Sequence, residues 1–449
     1  MKKCKNAKNM KYYSTNGKAP IADLHKAVVK GLAEDRGLYM PEKINKLPKE
    51  FFDNIEKMSF QEIAYTVASA FFGEDVDPDA LHDIVYDTLQ FDCPVVNVKD
   101  NIYTLELFHG PTLAFKDVGA RFMARLLQYF IKQENNHKEV NVLVATSGDT
   151  GSAVANGFLG VDGIHVYVLY PKGKVSPIQE CQFTTLGKNI TAIEVDGVFD
   201  DCQALVKNAF MDAELNEHMK LTSANSINVA RFLPQAFYYF NAYARMKEIA
   251  NTQHLSPNTQ LVMCVPSGNF GNICAALFGH EMGLPIKRFI SANNANDIFY
   301  NYLQTGKYEP KPSKQTLANA MDVGDPSNFA RIYDLYGKSH AKITSLISGA
   351  TYSDEQIKAT MRECYKDSGY ILDPHGACGY QALKDGLQAG EVGVFCETAH
   401  PAKFKEKVDD ILGIDVEIPE RLAAFMRGQK QSVPMSKDFA DFKDYLMRQ

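Results

Sequence analysis

The sequence predicts an α/β protein: two open, mostly parallel sheets with helices on both faces, preceded by a helix-rich unit. Three observations carry this reading. Short runs rich in Val, Ile and Leu alternate with amphipathic helical patterns over residues 140–210 and again over 260–413, the alternation that yields parallel strands joined by crossover helices. The chain has 449 residues, 45% of them hydrophobic, which suffices for more than one buried core. The first 95 residues are helical in pattern and lack that alternation.

In chain order, "PIADLHKAVVKGLAEDRG" opens with a helical pattern that is expected to break at Gly37. "FDNIEKMSFQEIAYTVASAFF" and "DALHDIVYDTLQFD" add two or three helices, and "FDCPVVNVKDNIYTLELF" is β-rich. A helix from Asp117 to Lys132 follows, its apolar face marked by Val118, Phe122, Leu126 and Phe130 at four-residue spacing. Strands are expected at 140–146, 164–170 and 189–195, with helices at 151–159, 176–187 and 199–210. One long helix is expected at 228–248. A second series comprises strands at 260–266, 286–292 and 391–397 and helices at 272–283, 355–369, 376–390 and 401–413, with a polar, loop-rich span at 306–350. The resulting division is a helix-rich N-terminal domain (1–95), a large α/β domain (96–139 and 236–449) and a small α/β domain (140–235).

Composition narrows the function. Lys and Arg total 48 against 54 Asp and Glu, a formal charge of −6, and no basic block suggests a nucleic-acid surface. No run approaches the roughly 18 apolar residues of a membrane span. Lys2, Lys3, Lys5, Lys8 and Lys11 are not followed by an apolar segment, so no secretory signal is expected. Nine cysteines, from Cys4 to Cys396, include no C-x-x-C pair, which fits reduced thiols in a cytoplasmic protein. Eleven histidines form no metal-ligand motif, so no metal is expected. Quaternary structure is expected to be a monomer or homodimer.

Four loops and one lysine carry the chemistry. In "HGPTLAFKDVGARF" (109–122), Lys116 stands at a loop-to-helix junction beside Phe115. Partial burial there disfavours the ammonium form and suits a nucleophilic amine. "CVPSGNFGNICAAL" (264–277) ends a strand in Ser267, Gly268, Asn269, Phe270, Gly271 and Asn272 before a helix. Free N–H groups at such a helix start make an anion cradle suited to a terminal phosphate. "VATSGDTGSAVANGF" (144–158) repeats the arrangement, with Ser147 and Thr150 placed for a carboxylate and Asp149 able to accept from a ligand hydroxyl; a capped helix start is the plain alternative. "FCETAHPAKF" (395–404) puts Thr398 at a strand end, where its hydroxyl could meet a ring nitrogen. "LTSANSINVARFLPQ" (221–235) offers Ser226, Asn228 and Arg231; Arg231 suits a second phosphate or an ordinary ion pair. Together these supply what pyridoxal 5'-phosphate with a small amino-acid substrate requires. His109 is a further candidate for orienting the lysine.

Across nearly the whole chain, "YYSTNG", "DRGLYMPE", "HGPTLAFKD", "ATSGDTGSA", "NSINVARFLPQ", "PSGNFGN", "DPHGACGY" and "ETAHPAKF" resemble the threonine synthases, within the fold type II (tryptophan synthase beta-like) class of pyridoxal-phosphate enzymes. The position of Asp149 is often asparagine in the wider class and commonly aspartate in threonine synthases. The resemblance implies that Lys116 forms the Schiff base, that Ser267 to Asn272 wrap the cofactor phosphate, that Thr398 meets the pyridine nitrogen and that Asp149 faces the cofactor hydroxyl. It places the substrate carboxylate on Ser147 and Thr150, and the phosphate of O-phospho-L-homoserine on Ser226, Asn228 and Arg231. Two alternatives stay open: a serine or threonine ammonia-lyase on the same fold, which needs no second phosphate site, and a non-catalytic protein that binds a phosphorylated metabolite.

Overall fold

The computed structural model describes residues 9–134, 138–253 and 259–449. Lys2, Lys3, Lys5, Lys8 and Cys4 lie outside the described residues. The N-terminal unit opens with β1 (Tyr12–Ser14) and β2 (Tyr39–Pro41), paired antiparallel, around a helix Leu24–Lys30. That helix ends at Gly31, whose φ of 72° closes it six residues before the expected break at Gly37. Helices Lys49–Asn54, Phe60–Phe72 and Pro78–Thr88 follow. Ser59 and Glu62 form a reciprocal capping box at the start of Phe60–Phe72.

The large sheet begins with β3 (Val95–Lys99) and β4 (Ile102–Glu106), an antiparallel pair. The chain then builds the smaller sheet from β5 (Val140–Ala145), β6 (Ile164–Pro171), β7 (Ile190–Val195) and β8 (Lys220–Ser223). It returns to the large sheet through β9 (Gln260–Pro266), β10 (Arg288–Asn293), β11 (Ile347–Thr351) and β12 (Glu391–Glu397). The large sheet runs β11-β10-β9-β12-β4-β3 and is parallel except for β3; the smaller sheet, completed by β13 (Val433–Met435), runs β13-β7-β6-β5-β8 and is parallel throughout.

Three features differ from the sequence reading. The expected helix at 228–248 is three pieces, Val229–Phe232, a 3₁₀ turn Leu233–Gln235, and Ala236–Thr252; Pro234 lacks the N–H that a continuous helix would use. The polar span 306–350 contains helices Phe329–Leu335 and His340–Leu346 and ends in edge strand β11. The tail, expected with the large domain, crosses over: β13 pairs with β7, and Phe442 and Leu446 of helix Phe439–Leu446 are buried with Cys202, Leu205 and Ala209 of helix Phe199–Met211.

One continuous core joins the N-terminal helices to a face of both sheets, and separate cores cover the opposite faces. The helix Lys116–Gln133 lies in the shared core through Val118, Phe122, Leu126 and Phe130, all buried, and packs on the small-unit helix Asp149–Phe158. Among the described residues no helix is long and apolar enough to cross a membrane, and no His, Cys, Asp or Glu cluster could hold a metal ion.

Candidate active site

The carboxyl ends of three neighbouring strands, β4, β12 and β9, open on one edge of the large sheet. They lead into the loops that carry Lys116, Thr398 and Ser267–Asn272. Facing them are the loops after β5 and β8, which are adjacent in the smaller sheet. Ligands of open parallel sheets bind at such strand ends.

The lysine loop is stitched to the end of β12. Leu107 N–H donates to the Glu397 carbonyl (3.0 Å), Phe115 N–H to that of Thr398 (2.8 Å), and His400 N–H to that of Leu113 (3.0 Å). Lys116 is the first helical residue, half-buried, with its Nζ 2.9 Å from the Thr150 hydroxyl across the cleft. Burial lowers its pKa to about 8, helped by the cations of Arg231 and Lys403 and opposed by Asp149. Asp117 turns back to accept from Thr112 N–H (2.9 Å) and Oγ1 (2.6 Å).

Asp149 is buried and ion-paired with Lys403, Nζ to Oδ1 2.6 Å, and also accepts from Gln179 Nε2 at 3.0 Å. The positive charges of Lys403 and Lys116 hold its carboxyl below the ordinary range, against the upward effect of burial. The Lys403 ammonium also donates to the Thr112 carbonyl (2.8 Å), to which Gln182 Nε2 donates as well (3.1 Å). Lys403 therefore ties the lysine loop to the opposite wall. Around Ser147–Thr150, the Thr146 hydroxyl accepts from Gly148 and Gly151 N–H, while the N–H groups of Ser147, Asp149 and Thr150 have no acceptor among the described residues; Ser147 itself is exposed.

The Ser267–Asn272 loop presents a run of unpaired backbone N–H groups at a helix start. Its N–H groups from Gly268 to Asn272 find no acceptor among the described residues. Phe270 sits at φ 64°, and a Cβ at Gly268 would lie 2.6 Å from the Ala320 carbonyl oxygen, so glycine lets the loop pack directly on the Ala320–Met321 backbone. Asn269 is locked by Ser327 N–H (2.6 Å) and donates to the Ser226 hydroxyl (2.7 Å); Asn272 donates to the Pro266 carbonyl (2.8 Å). The Ser267 hydroxyl donates to the Val265 carbonyl at 3.0 Å. The donor set and the free lysine amine fit pyridoxal 5'-phosphate.

Arg231 is buried 3% exposed, and its Nε and Nη1 have no partner among the described residues. A Cβ at Gly119, one turn along the lysine helix, would lie 2.3 Å from the Arg231 carbonyl and 3.5 Å from its Nε. Burial lowers the guanidinium to about 10, with only the Asp117 charge opposing. It is not the ordinary ion pair of the plain alternative.

Two candidates are placed differently. The Asn228 amide donates to the Val28 (2.8 Å) and Ser223 (3.3 Å) carbonyls and its Oδ1 caps Ala230 N–H, so its polar atoms are committed to the fold. His109 pairs with Glu106 (2.7 Å) and has no part in the charge environment of Lys116. Thr398 is buried at the end of β12, and its hydroxyl makes no hydrogen bond among the described residues. Lys403, Gln179, Gln182 and Asn328 were not singled out from sequence. Lys403 lies inside the quoted "ETAHPAKF", but nothing in the sequence singles it out as the partner of Asp149.

Family models described as "Threonine synthase N terminus", "Pyridoxal-phosphate dependent enzyme" and "Threonine synthase, C-terminal" match residues 11–89, 91–396 and 376–446. The chain is 43% identical to a threonine synthase of Serratia marcescens over 438 residues, 98% of this chain and 99% of that protein. A crystal structure of threonine synthase from Escherichia coli superposes with a TM-score of 0.89 at 43% identity, covering 98% of this chain and 100% of that one. A PLP-bound threonine synthase from Brucella melitensis superposes at 0.90 and 34% identity, covering 98% and 99%. With a lysine amine and a run of unpaired backbone N–H groups on one wall of the cleft and a second such run on the other, the chain belongs to the threonine synthase family of pyridoxal-phosphate enzymes.

Proposed function

We infer that the chain converts O-phospho-L-homoserine and water into L-threonine and phosphate, and that the cleft residues divide the work as follows. The cradle Ser267–Asn272 holds the cofactor phosphate through its free N–H groups, and the buried Thr398 hydroxyl orients the ring nitrogen without carrying a charge to it. When bound, pyridoxal 5'-phosphate supplies the electron sink that makes protons on an amino-acid substrate removable.

The N–H groups of Ser147 and Thr150, at the start of a helix, hold the substrate carboxylate. Thr150 also holds the Lys116 amine, so carboxylate and base share one wall contact. Lys116, with a pKa near 8, takes and returns protons at Cα and Cβ; a base is most effective with a pKa near the working pH. Removal of a Cβ proton is what permits the Cγ phosphate to leave. Arg231 receives that phosphate, while the Ser226 hydroxyl, which accepts from Asn269 and Asn328, serves the cradle instead. Asn228 acts only by capping the helix that carries Arg231. Asp149, paired with Lys403, faces the cofactor as a neutral unit and keeps the two walls together.

The observation that carries the reading is the pair of unpartnered Arg231 nitrogens beside the lysine helix. An ammonia-lyase has no use for that buried cation. The experiment follows phosphate and threonine together from O-phospho-L-homoserine, with equal amounts expected. A 2-oxo acid from threonine, with no phosphate release, would favour the ammonia-lyase. Arg231→Ala should lower kcat/KM by on the order of 10²-fold and leave the cofactor spectrum intact. A variant that loses cofactor instead would mean that the two phosphate positions are exchanged.

A further inference from the structure

A second buried arginine has no role in the site as described. Arg331, on the helix Phe329–Leu335, is the largest fully buried side chain among the described residues, and its guanidinium lies 4.1 Å over the Phe232 ring. Every acceptor it meets is neutral: the carbonyls of Tyr39 (3.0 and 3.2 Å), Ser226 (3.3 Å) and Ile227 (2.5 Å), and Asn328 Oδ1 (2.7 Å). No carboxylate pairs with it among the described residues, and its pKa, lowered by burial to about 9, still leaves it cationic at neutral pH. A buried cation without a counter-charge is costly. Carbonyl dipoles offset part of that cost, and an anion nearby would offset more.

The contacts lead to one anion site. Asn328, which Arg331 holds by its Oδ1, donates its Nδ2 to the Asn269 carbonyl (3.0 Å) and the Ser226 hydroxyl (3.3 Å). The Ser226 hydroxyl in turn accepts from Asn269 Nδ2. A Cβ at Gly271 would lie 3.0 Å from Ser226 Cβ and 3.6 Å from Asn328 Nδ2, so these groups form the back of the cradle.

We propose that Arg331 is the positioning residue of the phosphate cradle: through Ser226 and Asn328 it orders the Ser267–Asn272 loop, and its buried charge is matched by the dianion seated there. The proposal rests on the reading of that loop as the cofactor-phosphate site. It separates the two arginines, Arg231 serving the substrate phosphate and Arg331 the cofactor's.

A purely structural role exists as a rival, since Arg331 also bolts the N-terminal unit to the core through Tyr39. Two ligands differing only in the phosphate distinguish them. The full-length protein and its variants are dialysed to equilibrium against pyridoxal 5'-phosphate and, separately, pyridoxal. Arg331→Gln should weaken the phosphorylated ligand by about tenfold or more and pyridoxal by less than about twofold, with Arg331→Lys retaining most of the preference. Asn328→Asp offers the same test with the Tyr39 contact intact, because it places a carboxylate on the guanidinium; it should also reduce the preference for the phosphorylated ligand. Equal losses for both ligands, or an unchanged preference in both Arg331→Gln and Asn328→Asp, overturn the proposal. A wild-type protein that binds the two ligands equally well would instead overturn the cradle assignment itself.

Discussion

Lys116 owes its lowered pKa first to burial, and then to three charges from three separate segments: Asp149, which opposes the shift, and Arg231 and Lys403, which add to it. Its position was legible, because an apolar run and a helix start bracket it in the sequence. The charges around it were only half legible. Asp149 and Arg231 stand in recognisable loops, but nothing in the spacing shows that Lys403 reaches Asp149 from the opposite wall. The pairing has a measurable consequence. In the unfolded chain this lysine titrates near the ordinary 10.5, and in the fold near 8. The folded protein therefore binds fewer protons between those values, and its stability rises with pH across that window, while the cost of burying the ammonium is fully present below about pH 8. Mass-mapped acylation of Lys116 in the ligand-free chain should increase with pH through about 8. Lys403→Met leaves Asp149 uncompensated beside the amine and should move that profile to higher pH. Asp149→Asn combined with Lys403→Met should bring it back; a profile indifferent to both changes would remove the ion pair from the lysine's environment.

Strand β12 shows how one element separates stability from chemistry. Its carboxyl end carries Thr398. At its other end Glu391, with a side chain 1% exposed, takes both Nε (3.0 Å) and Nη2 (2.6 Å) of Arg288 at the start of β10, and Lys287 at 3.0 Å. The Arg288 contact, more than any other, holds its pKa down at about 2, against 4.5 ordinarily. The stabilisation is complete above pH 4.5 and is lost as pH falls from there towards 2. Glu391→Gln should lower stability by about 3 kcal/mol, measured by denaturant unfolding, and flatten that acid limb while leaving kcat unchanged. The buried strands of both sheets were readable because they are near-continuous in Val, Ile and Leu. β8 and β11 were not: each is short, and β11 lies at the sheet edge, where Gly349 and half-buried positions dilute the pattern. The broken helix at 229–252 was misread because its apolar residues continue through Pro234.

At the scale of the molecule, the two-sheet architecture followed from the sequence, but the path of the tail did not. Three residues of β13, one of them Pro434, carry too little pattern to reveal a partner in a strand more than half the chain away; proline is tolerated there because β13 is an edge. The tail is nevertheless part of the small unit's core. Phe442→Ala should cost about 3–5 kcal/mol. Hydrogen exchange should show protection lost in the helix Phe199–Met211, against which Phe442 is buried, and retained in Lys405–Leu412 of the large unit. The reverse pattern would place the tail's energetic partner on the wrong sheet.

The stitching of the lysine loop to the end of β12 also orders events during synthesis. The N–H groups of Leu107 and Phe115 and the carbonyl of Leu113 find their backbone partners in residues 397–400, which leave the ribosome long after Lys116 has emerged. A nascent chain that has completed the smaller strands β5 to β8 still lacks the segment that fixes its amine, and Lys403 arrives with that same segment. Contacts so distant along the chain form late. The full environment of the reactive nitrogen, Lys403 included, is thus complete only when nearly all of the polypeptide has been made.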